Sequence, residues 1–205
     1  MNMNKKEQIF KSVFGSTWDK LPPVFQKRYM NRPYSSDVTT VEGEMDIHFS
    51  KAMSCLMPFF RLLHVLVPYQ GKNIPVKVDF CSQIDSDAVC LNRKFYFPGK
   101  PPYEFNSCMH VIKDSDVVER MSFGVGWRTH YFYDGKKVVM QHKGYVWRIF
   151  GLNIPLPLAI FVGIGHAEEE MIDDNSYRVT MTMSHPWFGT MYSYSGDFTF
   201  NKLST

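Results

Sequence analysis

The sequence predicts an all-β-dominated protein: an antiparallel β-barrel, closed or nearly closed, of about nine or ten strands, calycin-like or lipid-binding-like in element order. Three observations carry this. Runs of β-branched and aromatic residues recur at regular spacing, separated by turn residues and with almost no helical periodicity between them. Aromatics make up 16% of the chain, with 17 Phe and 11 Tyr, a composition that favours strands. The chain also closes on a strand-like run, Tyr192 to Phe200, where a START-like helix-grip fold would need a long helix. Closure is favoured over an open sandwich because it removes exposed strand edges.

The elements follow in order. Lys5 to Phe14 places Ile9, Phe10, Val13 and Phe14 at helical spacing, and Gly15-Ser16-Thr17 ends that helix. A second helix reads from Leu21 to Met30, with proline in its first turn. Together residues 1–33 form a helical cap over one end of the sheet. Val38 to Phe49 is a long first strand, expected to bulge at Gly43. Ser50 to Val67 is the most apolar segment. Lys51, Pro58, Arg61 and His64 interrupt it, so it is too short and too charged to span a bilayer, which takes ~20 largely uncharged residues. Two helical turns around Pro58 are expected instead, as core, as a portal flap over a barrel mouth, or as a patch touching a membrane surface.

Strands are then expected at Pro75–Gln83, Ala88–Phe97, Tyr103–Lys113, Val117–Gly124, Gly126–Tyr133 and Lys137–Phe150. After a proline-rich passage from Leu152 to Leu158, others follow at Ile164–Ile172, Tyr177–Ser184 and Thr190–Phe200. Asp134-Gly135 is the strongest turn signal, and it points to a type I′ hairpin. No repeat, linker or low-complexity tract divides the chain, so one domain is expected over 1–205, with a barrel over 37–200 and a helical insertion at 50–67.

Composition narrows the function classes. The net charge is +3 with scattered basic residues, which argues against nucleic acid. The four cysteines, Cys55, Cys81, Cys90 and Cys108, show no Cys-x-x-Cys spacing, which argues against a structural zinc site. The N-terminal stretch lacks an apolar signal core, so four reduced thiols in a cytoplasmic protein are expected. No Gly-x-Ser-x-Gly elbow and no Gly-x-Gly-x-x-Gly fingerprint is present, so neither serine-hydrolase chemistry nor a dinucleotide cofactor is indicated. His166 and Glu168 share one strand face, but a metal site needs further ligands, and Glu168-Glu169-Glu170 reads as a solvated strand end. No metal or other cofactor is expected.

A set of short patterns occurs in order: Leu21-Pro22-Pro23-Val24-Phe25, Val41-Glu42-Gly43, Asn73-Ile74-Pro75-Val76, Arg93-Lys94-Phe95, Glu119 with Gly124, Gly151-Leu152-Asn153-Ile154-Pro155-Leu156-Pro157, and Tyr194-Ser195-Gly196. Over about Leu21 to Phe200 the chain resembles the bacterial family called domain of unknown function 4166, with Leu91 standing where that pattern leads one to expect tryptophan. The family occurs alone and fused behind saccharopine-dehydrogenase-like domains. The resemblance therefore implies small-metabolite chemistry and association with a dehydrogenase-like partner, and brings no activity or catalytic residue with it.

Period-two alternation puts Arg128, His130 and Phe132 on one strand face and Trp127, Thr129, Tyr131 and Tyr133 on the other. Beyond the turn, Val138, Met140, His142, Val146 and Arg148 are expected to share a face. Mixed faces suit a barrel whose lumen holds polar groups among aromatics. Arg93, His110, Glu119, Arg128, His130 and Arg148 are the candidate ligand-binding residues, with the arginine forks suited to an anionic end. Their alternative role is cross-strand pairing on the solvent face. The expected function is binding of a small, largely apolar molecule with a polar or anionic end in the barrel cavity. One alternative is an isomerase or cyclase using His110, Glu119 or His130 as acid or base. Another is an interaction module without a cavity. The balance leans away from an enzyme.

Overall fold

In the computed structural model, which describes residues 7–200, the chain forms eleven antiparallel strands and five short helices. The strands are β1 (Val38–Phe49), β2 (Gly71–Ser82), β3 (Val89–Phe95), β4 (Tyr103–Lys113), β5 (Asp116–Arg120), β6 (Val125–Tyr133), β7 (Lys137–Ile149), β8 (Leu152–Leu156), β9 (Ile164–Asp173), β10 (Ser176–His185) and β11 (Gly189–Phe200). Each strand pairs with the next from β1 to β7; β7 pairs onward to β9, β9 to β10, β10 to β11, and β11 back to β1. The result is a closed ten-stranded barrel with β8 as an additional strand hairpinned onto the far half of β7.

The capped end is built by α1 (Ile9–Phe14), a 3-10 segment (Gly15–Lys20) and α2 (Pro23–Arg28). The expected first helix begins two residues earlier than the described chain. Ile9, Phe10, Val13 and Phe14 are all buried, as their spacing requires. Phe10 packs 5.6 Å from Tyr131 of β6 and 4.8 Å from Tyr29, so the helices plug the barrel with aromatics. Each such ring contributes about 1.5–3 kcal/mol by burial. The Asn31 side-chain amide ties the cap to the sheet, donating to the Asp37 and Phe80 carbonyls and to Ser82 Oγ.

The other end carries α3 (Lys51–Ser54), α4 (Met57–Leu63) and α5 (Ala159–Val162). Pro58 falls in the first turn of α4, where its missing N–H costs nothing. Met53, Met57 and Phe60 point down into the core, and Phe59 and Leu62 point out. The segment 50–67 thus packs over this end of the barrel, and is called the flap below.

Two local expectations are corrected. The irregularity of β1 lies between Met45 and Ile47, not at Gly43. Gly43 serves close approach instead, since a Cβ there would sit 2.0 Å from the Asp197 carbonyl oxygen of β11. At the β6–β7 hairpin the Asp134 amide donates to the Lys137 carbonyl, so Gly135 and Lys136 are the two central residues; only Gly135 has positive φ, and Asp134 Oδ1 accepts from the Lys136 and Lys137 amides, so the turn is not type I′. The two-residue turn with positive φ at both centres is Phe150-Gly151, between β7 and β8.

The thiol expectation is also corrected. Cys90 of β3 and Cys108 of β4 are directly opposite in the ladder with Cα atoms 3.9 Å apart, and they form a disulfide on the outer wall. Cys55 and Cys81 are free. No helix of the described residues is long and apolar enough to cross a membrane.

Candidate functional site

Inward positions are set by the pleat. On β3 they are Leu91, Arg93 and Phe95; on β4, Phe105, Ser107 and Met109; on β5, Val117 and Glu119. Arg93 Nη2 donates to Glu119 Oε1 at 2.8 Å and to Ser107 Oγ at 2.5 Å, and Ser107 Oγ in turn donates to Glu119 Oε1 at 2.6 Å. The Arg93 guanidinium also lies over the Phe105 ring, 4.2 Å from its centre. Tyr194 of β11 faces this cluster, and burial pushes its hydroxyl pKa up to about 12 against the opposing pull of Arg93.

A second polar cluster sits nearer the capped end. Arg28 from α2 reaches the barrel interior with its Nε 3.4 Å from Glu169 Oε1 of β9, and Tyr29 donates to Glu169 Oε2 at 2.7 Å. The Arg28 guanidinium stacks 3.5 Å from the Phe80 ring centre. Burial disfavours the Arg28 charge, yet the Glu169 carboxylate and the surrounding tyrosine oxygens hold its pKa above the ordinary arginine value. Burial first, and the same carboxylate second, hold the Tyr29 hydroxyl protonated far above the usual range.

Two cavities occupy the lumen. The inner one, about 90 Å³, runs from Arg28 and Glu169 to Arg93 and Glu119 between Phe80, Met109, Met140 and Tyr177. The outer one, about 80 Å³, lies beneath α4 and α5 and is walled by Phe60, Leu66, Tyr145, Val162, Met181 and Met183. Both meet at the same residues: Leu66, Arg93, Phe105, Glu119, Trp127 and Tyr194. The lumen is thus largely apolar, with the Arg93–Glu119 girdle at its waist and the Arg28–Glu169 pair toward its capped end, so its two arginines are matched by its two glutamates. The girdle can accept a hydrogen bond at Glu119 and offer one from Arg93 or the Tyr194 hydroxyl.

Of the six residues singled out in the sequence, Arg93 and Glu119 stand together in this girdle, and the other four do not reach the lumen. Arg128 is on the outer wall, donating from Nε and Nη2 to Asp116 Oδ2, and His130 Nδ1 lies 3.0 Å from Asp116 Oδ1. The period-two grouping of Arg128 with His130 holds, but that face is the solvent face, because Trp127, Thr129 and Tyr131 are the buried set. His110 also faces outward, since Phe105, Ser107 and Met109 are the buried positions of β4. Arg148 fails for a different reason. Arg128 pairs with Gly144 and Thr129 with His142, so Lys143 is an extra residue and the parity of β7 reverses there. Tyr145 therefore turns inward while Val146 and Arg148 turn out. His110 cannot pair with Glu119 as an acid–base couple, because the barrel wall separates them.

Sequence reasoning missed Arg28, Tyr29, Ser107, Glu169 and Tyr194. Glu169 was hidden in the Glu168-Glu169-Glu170 run, which is not a uniformly solvated strand end. Only Glu169 is buried, in phase with Gly165 and Ala167, whereas Glu168 faces out and pairs with Lys137. His166 and Glu168 do share the outer face, 3.6 Å apart. Arg28 follows Val24 and Phe25 at helical spacing, and that was the available signal.

The fold and site define a closed antiparallel barrel with an apolar, girdled lumen. Beyond this class, the chain belongs to the family described as domain of unknown function DUF4166, whose model matches residues 21–198. No curated protein matches the chain. Among solved structures, the crystal structure of Rv2717c from M. tuberculosis aligns at 10% identity over 92% of this chain and 99% of that one, with a TM-score of 0.47. The dehydratase domain of the polyketide PpsC from Mycobacterium tuberculosis aligns at 4% identity over 92% and 84%, with a TM-score of 0.20. At these values neither likeness bears on function.

Proposed function

We propose that the barrel binds a small, largely apolar molecule whose polar end hydrogen-bonds to the Arg93–Ser107–Glu119–Tyr194 girdle. The observation that carries this is the meeting of both cavities on that one cluster, an arrangement typical of small-molecule sites: apolar walls with a few converging polar groups. The charge balance favours a neutral polar end, such as a hydroxyl or carbonyl, over an anion. Arg93 already has Glu119 as counter-ion, and Arg28 has Glu169. The size is modest. Together the cavities slightly exceed the ~150 Å³ that accommodates a benzene-sized molecule, so a slender ligand fits without displacing the flap.

Native mass spectrometry of gently purified protein tests this. The expected result is a retained mass, released on unfolding and extractable as a neutral organic molecule. The double variant Arg93→Met/Glu119→Leu, which keeps the fold while removing the girdle, should lose it. Identical bare masses for both proteins, with no extractable molecule and no binding of benzyl alcohol to either, would overturn the reading.

A further inference from the structure

We propose that the flap end of the barrel docks on the surface of an anionic phospholipid bilayer. Five connecting segments meet at this end: 50–70, 96–102, 121–124, 150–163 and 186–188. They carry most of the large exposed apolar side chains among the described residues, including Leu62, Phe123, Phe150, Phe161 and Trp187. Leu62 lies on α4, Phe161 on α5, and Phe123, Phe150 and Trp187 on three further connections, so these side chains are spread as an apolar crown over this end of the barrel. Such an arrangement suits insertion among lipid headgroups, where aromatic side chains are favoured.

Two of the crown residues are placed against backbone preference. Phe150 has φ 48° at the tip of the β7–β8 turn and is 99% exposed, and Phe123 has φ 57° and is 69% exposed. A left-handed backbone at a turn centre selects Asn, Asp or Gly, and an exposed phenylalanine there serves neither the turn nor the core. A local choice that conflicts with the fold marks a position held for another purpose.

Charge selects the partner. None of the five segments contains Asp or Glu, whereas Lys51, Arg61 and Lys100 lie within them. The connections at the capped end carry Asp85, Asp87, Asp114, Asp134 and Asp174 instead. A surface groove of about 760 Å³ between α4 and the β3–β4 loop is lined by Arg61, His64, Tyr69 and Lys100, with no carboxylate among its lining residues. Lys100 Nζ and the Arg61 guanidinium carbon lie 4.1 and 5.5 Å from the Tyr69 ring centre, holding two cations over a site that fits a phosphate-bearing headgroup. An apolar crown on segments that carry cations and no carboxylate is complementary to an anionic lipid surface. This inference stands independently of what the lumen holds.

The test is flotation of the full chain with vesicles of phosphatidylcholine alone and of equal parts phosphatidylcholine and phosphatidylserine. The protein should float with the mixed vesicles, and less so as salt is raised. Phe150→Asp and Trp187→Asp should each weaken binding about tenfold or more. Arg61→Glu with Lys100→Glu should remove the preference for phosphatidylserine, at about fivefold per lost cation. Ile84→Asp, on an exposed residue at the capped end, should change nothing. Failure to float with mixed vesicles would overturn the proposal, as would binding indifferent to Phe150→Asp. So would sedimentation showing a dimer that Phe150→Asp dissociates, since a second copy would then cover the crown.

Discussion

Arg93 on β3 and Glu119 on β5 meet at 2.8 Å across an intervening strand, with Ser107 of β4 hydrogen-bonded to both. The pair spans three strands of the barrel wall and sits where the two lumen cavities touch. It is both a structural clasp and the only cation–carboxylate contact that both cavities share among the described residues.

Removing one partner should therefore be costly. Arg93→Met leaves the Glu119 carboxylate among apolar walls, and losing one member of a buried pair costs about 3–5 kcal/mol. Because both side chains border a cavity, the lower end of that range is expected. Arg93→Met/Glu119→Leu should recover most of the loss, since an apolar replacement of a whole buried pair is often neutral. Urea denaturation of the three variants as a double-mutant cycle measures this directly.

Arg128→Ala should do little. Its guanidinium pairs with Asp116 on the outer wall at 44% exposure, where such pairs contribute about 0–1 kcal/mol. Thermal melts should shift by a few degrees at most, and ligand retention should be unchanged. A loss of ligand in this variant would contradict the orientation of β6.

The Cys90–Cys108 bridge predicts a thiol count. Labelling under denaturing, non-reducing conditions should find two free thiols, Cys55 and Cys81, and four only after reduction. The bridged residues are 18 apart, so replacing both by serine should lower stability by about 3 kcal/mol through the freed unfolded chain. Four thiols before reduction would refute the bridge.

His110 gives a pH signature. Burial against the outer wall, reinforced by the Arg120 and Arg148 charges and opposed by Asp87, lowers its pKa to about 4. The unfolded chain takes up its proton near ~6.5, whereas the folded chain does not until about 4. Stability should therefore fall as pH drops through that window and be unaffected by this group above it. Proton NMR should find the His110 ring neutral at pH 5.5, and Arg148→Ala should move its titration upward toward the ordinary value.

What was readable from the sequence follows from period. Strand β4 appears as Tyr103–Lys113 and β1 as Val38–Phe49 because alternation and turn residues bound them cleanly. Strand β8 escaped because Pro155 and Pro157 read as loop, yet β8 sits outside the closed ring, where proline is tolerated. The inward face of β6 was undecidable, since Arg128 and Trp127 faces are both aromatic and polar. The outward turn of Arg148 depends on a bulge at Lys143-Gly144 that no local pattern announces. The Cys90–Cys108 contact and the Arg93–Glu119 contact both require the β3–β4–β5 register, which is a property of pairing rather than of any one segment.

The most direct test of the lumen reading uses methionine methyl NMR. Met109 and Met140 line the inner cavity, Met181 and Met183 line the outer, and Met30 and Met171 are exposed. Titration with benzyl alcohol, a benzene-sized molecule with one hydroxyl, should shift the lumen methyls saturably and leave the exposed pair in place. In Arg93→Met/Glu119→Leu the same titration should bind more weakly by about tenfold, the loss of about one good hydrogen bond to a charged group. Lumen methyls that never move, or shifts confined to Met30 and Met171, would contradict the account.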